Sequence, residues 1–427
     1  MWENDRRKRI ILNIVLCVLI LAVVAGLGFF MLRTHEETKR HDEELAQMYV
    51  QQQQQQTEAR IESVNSIDVE YQKQMDVVKQ YMPGIVCWGD NTTAAVSGML
   101  NFPYVLQTYI NTYLCDIYDF SSTIENALDY TRLDWKKYKV SIPVVNMASG
   151  KESSYTILGR AGVVPYVISE DMVIPAGTEP VDMKFTSIGG QAVTPLTGGD
   201  LGFNNVSVAG IEGVIALNTE AYSYNGYPQY TFTRLQPGAE KSVGKGTPIQ
   251  IASANSYKDY IHVVLIGMYG EYVNGDDLVN QVKQLLSRQN LNSERYIVLG
   301  PYSHNIYSSA SMDDVDNAML QAFGNRYISI RKYLIGDGYT DADIKPTNED
   351  QYYVYQEMVP PSFRVASQSE ELNSLAHKLI GKLIYTRMDN LGYFNEIKEA
   401  LNLTETTKEI LKEDPKYFES IIQNILK

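Results

Sequence analysis

The sequence predicts a three-layer α/β/α domain on a parallel sheet, interrupted by a β-rich module and carried on an N-terminal transmembrane helix and helical stalk. Three observations predict it. Short apolar runs alternate with segments of helical period, the pattern of a parallel sheet covered on both faces. From about 163 to 257 the texture changes to Val, Thr, Ile, Tyr, Gly and Pro without helical periodicity. Residues 10–32 are almost uniformly apolar, enough to span a bilayer as a helix.

Residues 1–9 form a basic tail, with Arg6, Arg7, Lys8 and Arg9 directly before the span. By the positive-inside rule they set a single-pass plasma-membrane topology, N-terminus cytoplasmic and the rest extracellular, with Arg33 as a weak counter-signal. A cleaved signal peptide is the competing reading, but its apolar stretch is only about 7–15 residues. Residues 33–82 read as a Gln-rich helical stalk with no Gly or Pro. Its apolar residues Leu45, Met48, Ile61, Val64, Met75 and Val78 include pairs three apart but no sustained heptad, which argues against a coiled coil.

Residues 83–393 form the main domain. Strands are expected at 84–88, 144–146, 262–266, 296–300 and 327–330, and helices at 103–118, 277–288, 314–323 and 372–389. Ligands of such sheets sit at the carboxyl ends of the strands, so the loops after the first three strands are the expected place for chemistry. Within the module, strands are expected at 172–175, 206–208, 214–217, 230–235 and 248–251. Residues 394–427 read as a helical extension, with an apolar stripe of Phe418, Ile421, Ile422 and Ile425 that packs on the domain or meets a partner.

The composition narrows the function. A net charge of −14 disfavours nucleic acid as a partner, because phosphates would be repelled. Three cysteines exclude a disulfide-dense scaffold, and three cysteines with five histidines at no paired spacing argue against zinc. No metal or cofactor is expected. Cys87 and Cys115 lie in apolar stretches and read as buried thiols.

Four blocks carry a family resemblance. Residues 85–93 end in Gly89-Asp90-Asn91-Thr92-Thr93, followed by Phe102-Pro103 and Leu106. Residues 145–160 run from Val145-Asn146 through Gly150-Lys151-Glu152 to Arg160, and 265–271 contain Gly267-Met268-Tyr269-Gly270. Residues 359–364, then Leu372-Asn373 and Lys378 to Gly381, form the last. In order and placement these resemble the blocks of the SGNH (GDSL-type) hydrolases, over about Gly84 to Tyr393. The resemblance implies a flavodoxin-like three-layer domain in a bacterial surface protein, and the β insertion is of a type some members carry. Active relatives cleave or transfer acyl groups on lipids and polysaccharides.

The resemblance also implies that the chemistry is lost. Such esterases need a serine nucleophile, a histidine base with an aspartate shortly before it, and a glycine and an asparagine as oxyanion donors. Here Asn91 stands at the serine position, Tyr269 at the asparagine position and Glu371 at the histidine position. No acid lies among Ala366, Ser367 and Gln368. Ala148 and Lys151 replace usual glycines, although Gly150 remains. His377 is read as facing the helix exterior or a neighbouring turn; it and His304 are the next base candidates if this alignment fails.

The expectation is a pseudoenzyme without catalytic residues, its ligand cleft formed by Asp90, Asn91, Thr92, Gly150, Glu152, Tyr269 and Glu371. Two roles of different class follow: a structural or assembly subunit with protein partners in a surface complex, or a glycan-binding module. Two catalytic alternatives compete. One is a residual acyl-ester hydrolase using Ser149 or Ser153. The other is a glycosidase-like carboxylate pair drawn from Asp90, Glu152, Glu370 and Glu371.

Overall fold

The structure is a computed structural model that describes residues 2–94, 99–115, 141–150, 152–188, 204–218, 229–252, 256–289, 295–303, 311–400 and 415–426. Lys151, His304 and the turn expected near Asn402 lie outside the described residues, as do the side chains of Cys115, Phe418 and Ile421. The chain divides into two units.

The N-terminal unit, through Glu70, lies within one continuous helix, α1 (Trp2–Tyr81). The candidate membrane span and the expected stalk are therefore not separated by a break. No Gly or Pro between Thr34 and Tyr81 interrupts the hydrogen-bond ladder. The first part of α1 is long and apolar enough to cross a membrane. Met48, Tyr49 and Val50 on the stalk are exposed.

In the second unit, five parallel strands form the central sheet: β1 (Ile85–Trp88), β2 (Val144–Asn146), β12 (Ile261–Leu265), β13 (Tyr296–Gly300) and β14 (Tyr327–Ser329). Their spatial order is β14-β13-β12-β1-β2. Chain order thus reverses beside β1, creating a topological switch point between β1 and β12. Every residue of β1 and β12 is buried, as both faces of a parallel sheet require.

On one face, Val86, Val264 and Val298 pack with Leu278 and Val282 of the helix Gly275–Leu286 and with Val315 and Met319 of the helix Met312–Phe323. Full burial of each such side chain contributes about 1.5–3 kcal/mol. Elsewhere the helices Phe102–Ile110 and Ser374–Asn390 pack on each other. Gly381 makes that approach possible, since a Cβ there would lie 2.5 Å from Val105. The first helix passes at Asn111 into one wider turn to Cys115, and the rest of the expected helix, to Tyr118, lies outside the described residues.

The β module runs from β3 (Tyr166–Ile168) through β5 (Val181–Met183), β6 (Phe185–Ser187), β7 (Asn204–Val208), β8 (Ile211–Leu217) and β9 (Tyr230–Arg234) to β11 (Pro248–Ile251). Seven of its strands form one antiparallel sheet around Tyr166, Ile215 and Phe232, and β4 (Met172–Ile174) pairs with β10 (Lys241–Val243) as a separate ribbon. Tyr166 ties the module to the sheet domain by donating to the Thr156 carbonyl at 2.5 Å.

Between the last parallel strand and Pro361, three short helices among the described residues were not expected: Ile330–Ile335, Gly338–Asp341 and Asn348–Tyr355. They are too short to show a period. A capping box between Thr347 and Asp350 starts the last of them. Buried Arg331 anchors the region through ion pairs to Asp313, Asp316 and Glu357 at 2.6–3.0 Å. The C-terminal helix Pro415–Ile425 packs on the domain, with Ile422 and Leu426 buried and Glu419 bonded to Tyr109 and Lys382. Ile425, expected on the packed stripe, is instead exposed.

Candidate functional site

The switch point is built by loops that lace into one another. After β1 the chain passes through Gly89 and Asp90 into a single helical turn, Asn91–Ala94. Gly89 has no room for a side chain, since a Cβ would lie 2.0 Å from Thr93 Oγ1. Asp90 holds the turn by accepting the Thr92 N–H at 3.0 Å. Asn146, ending β2, donates to the Thr93 carbonyl and accepts from Ala148 N, each at 3.1 Å. Ser149 N then donates to the Gly89 carbonyl.

The loop after β12 needs left-handed backbone at three positions: Gly267 (φ 104°), Gly270 (φ 88°) and Glu271 (φ 67°). Glycine adopts this without strain; Glu271 does not. Glu271 is held there by Ser153 Oγ, which donates to its carboxylate, and by Ser154 Oγ, which donates to the Gly270 carbonyl at 2.9 Å. Tyr269 is thereby presented beside Asn91, whose Nδ2 donates to the Tyr269 hydroxyl at 2.7 Å.

The far wall is the segment before the helix Ser374–Asn390. A bridge between Arg364 and Leu372 closes it, and Asn373 caps the helix by accepting the Ala376 N–H.

Asn91, Thr92, Tyr269, Tyr302, Glu371 and His377 line one small cavity of about 40 Å³, with Glu370 at its rim. Gly150 abuts it, because a Cβ there would lie 2.8 Å from Asn91 Oδ1. Asp90 and Glu152, expected in the cleft, do not line it; both are fully buried. Glu152 instead accepts two bonds from buried Arg160, at 2.7 and 3.1 Å. Ser149 and Ser153 do not line the cavity either, and Ser153 serves as the N-cap of the helix Ser154–Arg160.

His377 corrects the expectation that it faces outward. It is 2% exposed, stacks on Phe102 at 6.3 Å and lines the cavity. The signal was present: Ala376, His377, Ile380, Gly381 and Ile384 form a buried stripe at helical spacing. Tyr302 was also missed. It follows the fourth parallel strand, one loop beyond those expected to contribute, and shares a 3.0 Å hydrogen bond with Thr92.

Burial dominates the electrostatics. It pushes Asp90 up to about 7, against the hydrogen bonds from Thr92. It pushes Glu152 up to about 7, against the pull of Arg160. Tyr269 rises to about 12 through burial and the carboxylates of Asp90, Glu371 and Glu370. His377 falls to about 4 by burial, so its imidazole is neutral.

The cavity thus holds a neutral imidazole, hydroxyls, an amide and carboxylates, but no Ser, Cys or Lys nucleophile among its described lining. Among the described residues no cluster of His, Cys, Asp and Glu could hold a metal. Comparison of the chain with protein-family models, curated proteins and solved structures gives no match.

Proposed function

We propose that this chain is a membrane-anchored, extracytoplasmic SGNH-hydrolase-like pseudoenzyme that acts as a structural or assembly subunit of a cell-surface complex. The observation that carries this reading is the Asn91–Tyr269 hydrogen bond. Two side chains at the positions of the nucleophile and an oxyanion donor are bonded to each other, with only about 40 Å³ of space beside them. An acyl ester has neither a nucleophile to meet nor room to enter. A five-stranded parallel sheet with loops meeting at its switch point supports the reading.

The glycan-binding alternative is less well supported, because pockets for organic ligands are typically about 300–1,000 Å³. The catalytic alternatives lack support as well. Ser153 is a helix cap, and Asp90 and Glu152 are sealed from solvent.

The test has two arms. Full-length protein in detergent is assayed against short acyl esters, and the same protein is cross-linked and purified from membranes. Background hydrolysis with stoichiometric protein partners is expected. Ester turnover that vanishes in Asn91→Ala overturns the reading.

A further inference from the structure

We infer that the cavity beside Asn91 and Tyr269 recognises an alkylammonium group, such as a lysine side chain of a partner or a free diamine. The inference rests on the non-hydrolytic reading above and names the chemistry that the same site accepts.

Three features of the lining point to this class. Among the described lining residues the formal charge is of one sign. Glu371, half-buried, and Glu370, exposed, are the ionisable acids of the lining, and neither forms an ion pair with a cation among the described residues. Arg364 acts on Glu370 only through space, without an ion-pair contact: its guanidinium stacks over Tyr353 at 4.9 Å and donates to the Ser369 carbonyl at 3.4 Å. Glu370 accepts only a hydroxyl bond, from Ser303 at 3.3 Å.

The second feature is His377. It lines the cavity at 2% exposure, and its Nδ1 has no hydrogen-bond partner among the described residues. Burial holds the ring neutral, so it keeps one nitrogen lone pair for a donor and adds no repelling charge. An ammonium head carries three N–H donors and no acceptor. The carboxylate of Glu371, the imidazole and the tyrosine hydroxyls offer the acceptors it needs.

The third feature is size and wall chemistry. About 40 Å³ suits a small head group such as an ammonium and is far below the roughly 300–1,000 Å³ of pockets for larger organic ligands such as sugar rings. The ring of Tyr269, 38% exposed, stands at the mouth, where it can cover an apolar stem and favour a cation through its face.

The experiment uses full-length protein in nanodiscs, titrated with N-acetyl-lysine methylamide, cadaverine and uncharged N-acetyl-norleucine methylamide, and followed by NMR and calorimetry. Saturable binding of the lysine amide or cadaverine is expected, with norleucine amide at least roughly tenfold weaker and Glu371→Gln losing roughly tenfold. Stronger binding of the lysine amide assigns the site to a partner protein; stronger binding of cadaverine assigns it to a free amine. If Glu371→Gln does not fold, judged by thermal melting, Glu370→Gln reads the same charge dependence from an exposed position. Equal binding of the norleucine amide, amine binding unchanged in both glutamine variants, or no saturation up to about 50 mM overturns the inference. Ester turnover dependent on Asn91 refutes the non-hydrolytic reading instead, and the amine titration reports separately.

Discussion

Asn91 donates its side-chain amide to the hydroxyl of Tyr269 at 2.7 Å, across 178 positions of sequence. The bond joins the loop after β1 to the loop after β12, on either side of the switch point. It forms one wall of the small cavity at the place where ligands of such sheets bind.

Removing that hydroxyl tests how far it braces the site. Tyr269→Phe loses one hydrogen bond at a partly exposed position, so a loss of about 1 kcal/mol or less is expected by denaturant titration. Hydrolysis of short acyl esters stays at background, since no nucleophile is uncovered.

Installing the serine and histidine that the proposed SGNH-like reading assigns to two positions should not create catalysis. Asn91→Ser with Glu371→His is expected to fold, because both positions lie at the cavity rather than in the sheet. Ester turnover is expected to remain undetectable. On the proposed reading Tyr269 still stands at the oxyanion-donor position, and Ala366, Ser367 and Gln368 supply no carboxylate to orient an imidazole. A clear rate in this double variant shows that those losses do not matter.

Arg160 and Glu152 form a fully buried ion pair beneath the site, with the guanidinium over Trp88 at 5.8 Å. Arg160→Met strands the carboxylate and should cost about 3–5 kcal/mol in chemical denaturation. Arg160→Met with Glu152→Leu should recover part of this, because no charge then remains buried.

Asp90 sets a pH dependence of defined sign. An aspartate titrates near about 3.9 in an unfolded chain, and Asp90 at about 7 in the fold. The folded state therefore holds the extra proton between these values. Stability due to Asp90 is full below about pH 4, falls as pH rises, and is gone above about 7. Asp90→Asn keeps an oxygen for the Thr92 N–H and carries no charge. Its stability should exceed wild type at about pH 8, by on the order of a few kcal/mol, and converge with it toward about pH 4. His262 and His377, both pushed down to about 4, change in the opposite sense but equally in both proteins, so they cancel in the comparison.

The basic cluster before Ile10 motivates the orientation of the anchor. Protease added to intact, wall-stripped cells should degrade the chain beyond the stalk. An ectodomain that survives until the membrane is opened reverses the topology.

What the sequence determined by itself was local. The apolar run of residues 10–32, the five parallel strands and the helices beginning near Gly275, Met312 and Ser374 were legible because burial imposes a period or an unbroken apolar run on neighbouring residues. Asn91, Tyr269 and Glu371 could be singled out because each lies in a short block at a strand end or helix start. Only the tertiary structure decided what these residues do to one another. It brought Asn91 to Tyr269, buried Asp90 and Glu152 rather than exposing them, turned His377 inward and reduced the cleft to about 40 Å³. These outcomes depend on packing between segments far apart in the chain, and no periodicity along it records which side chain will fill the space another leaves.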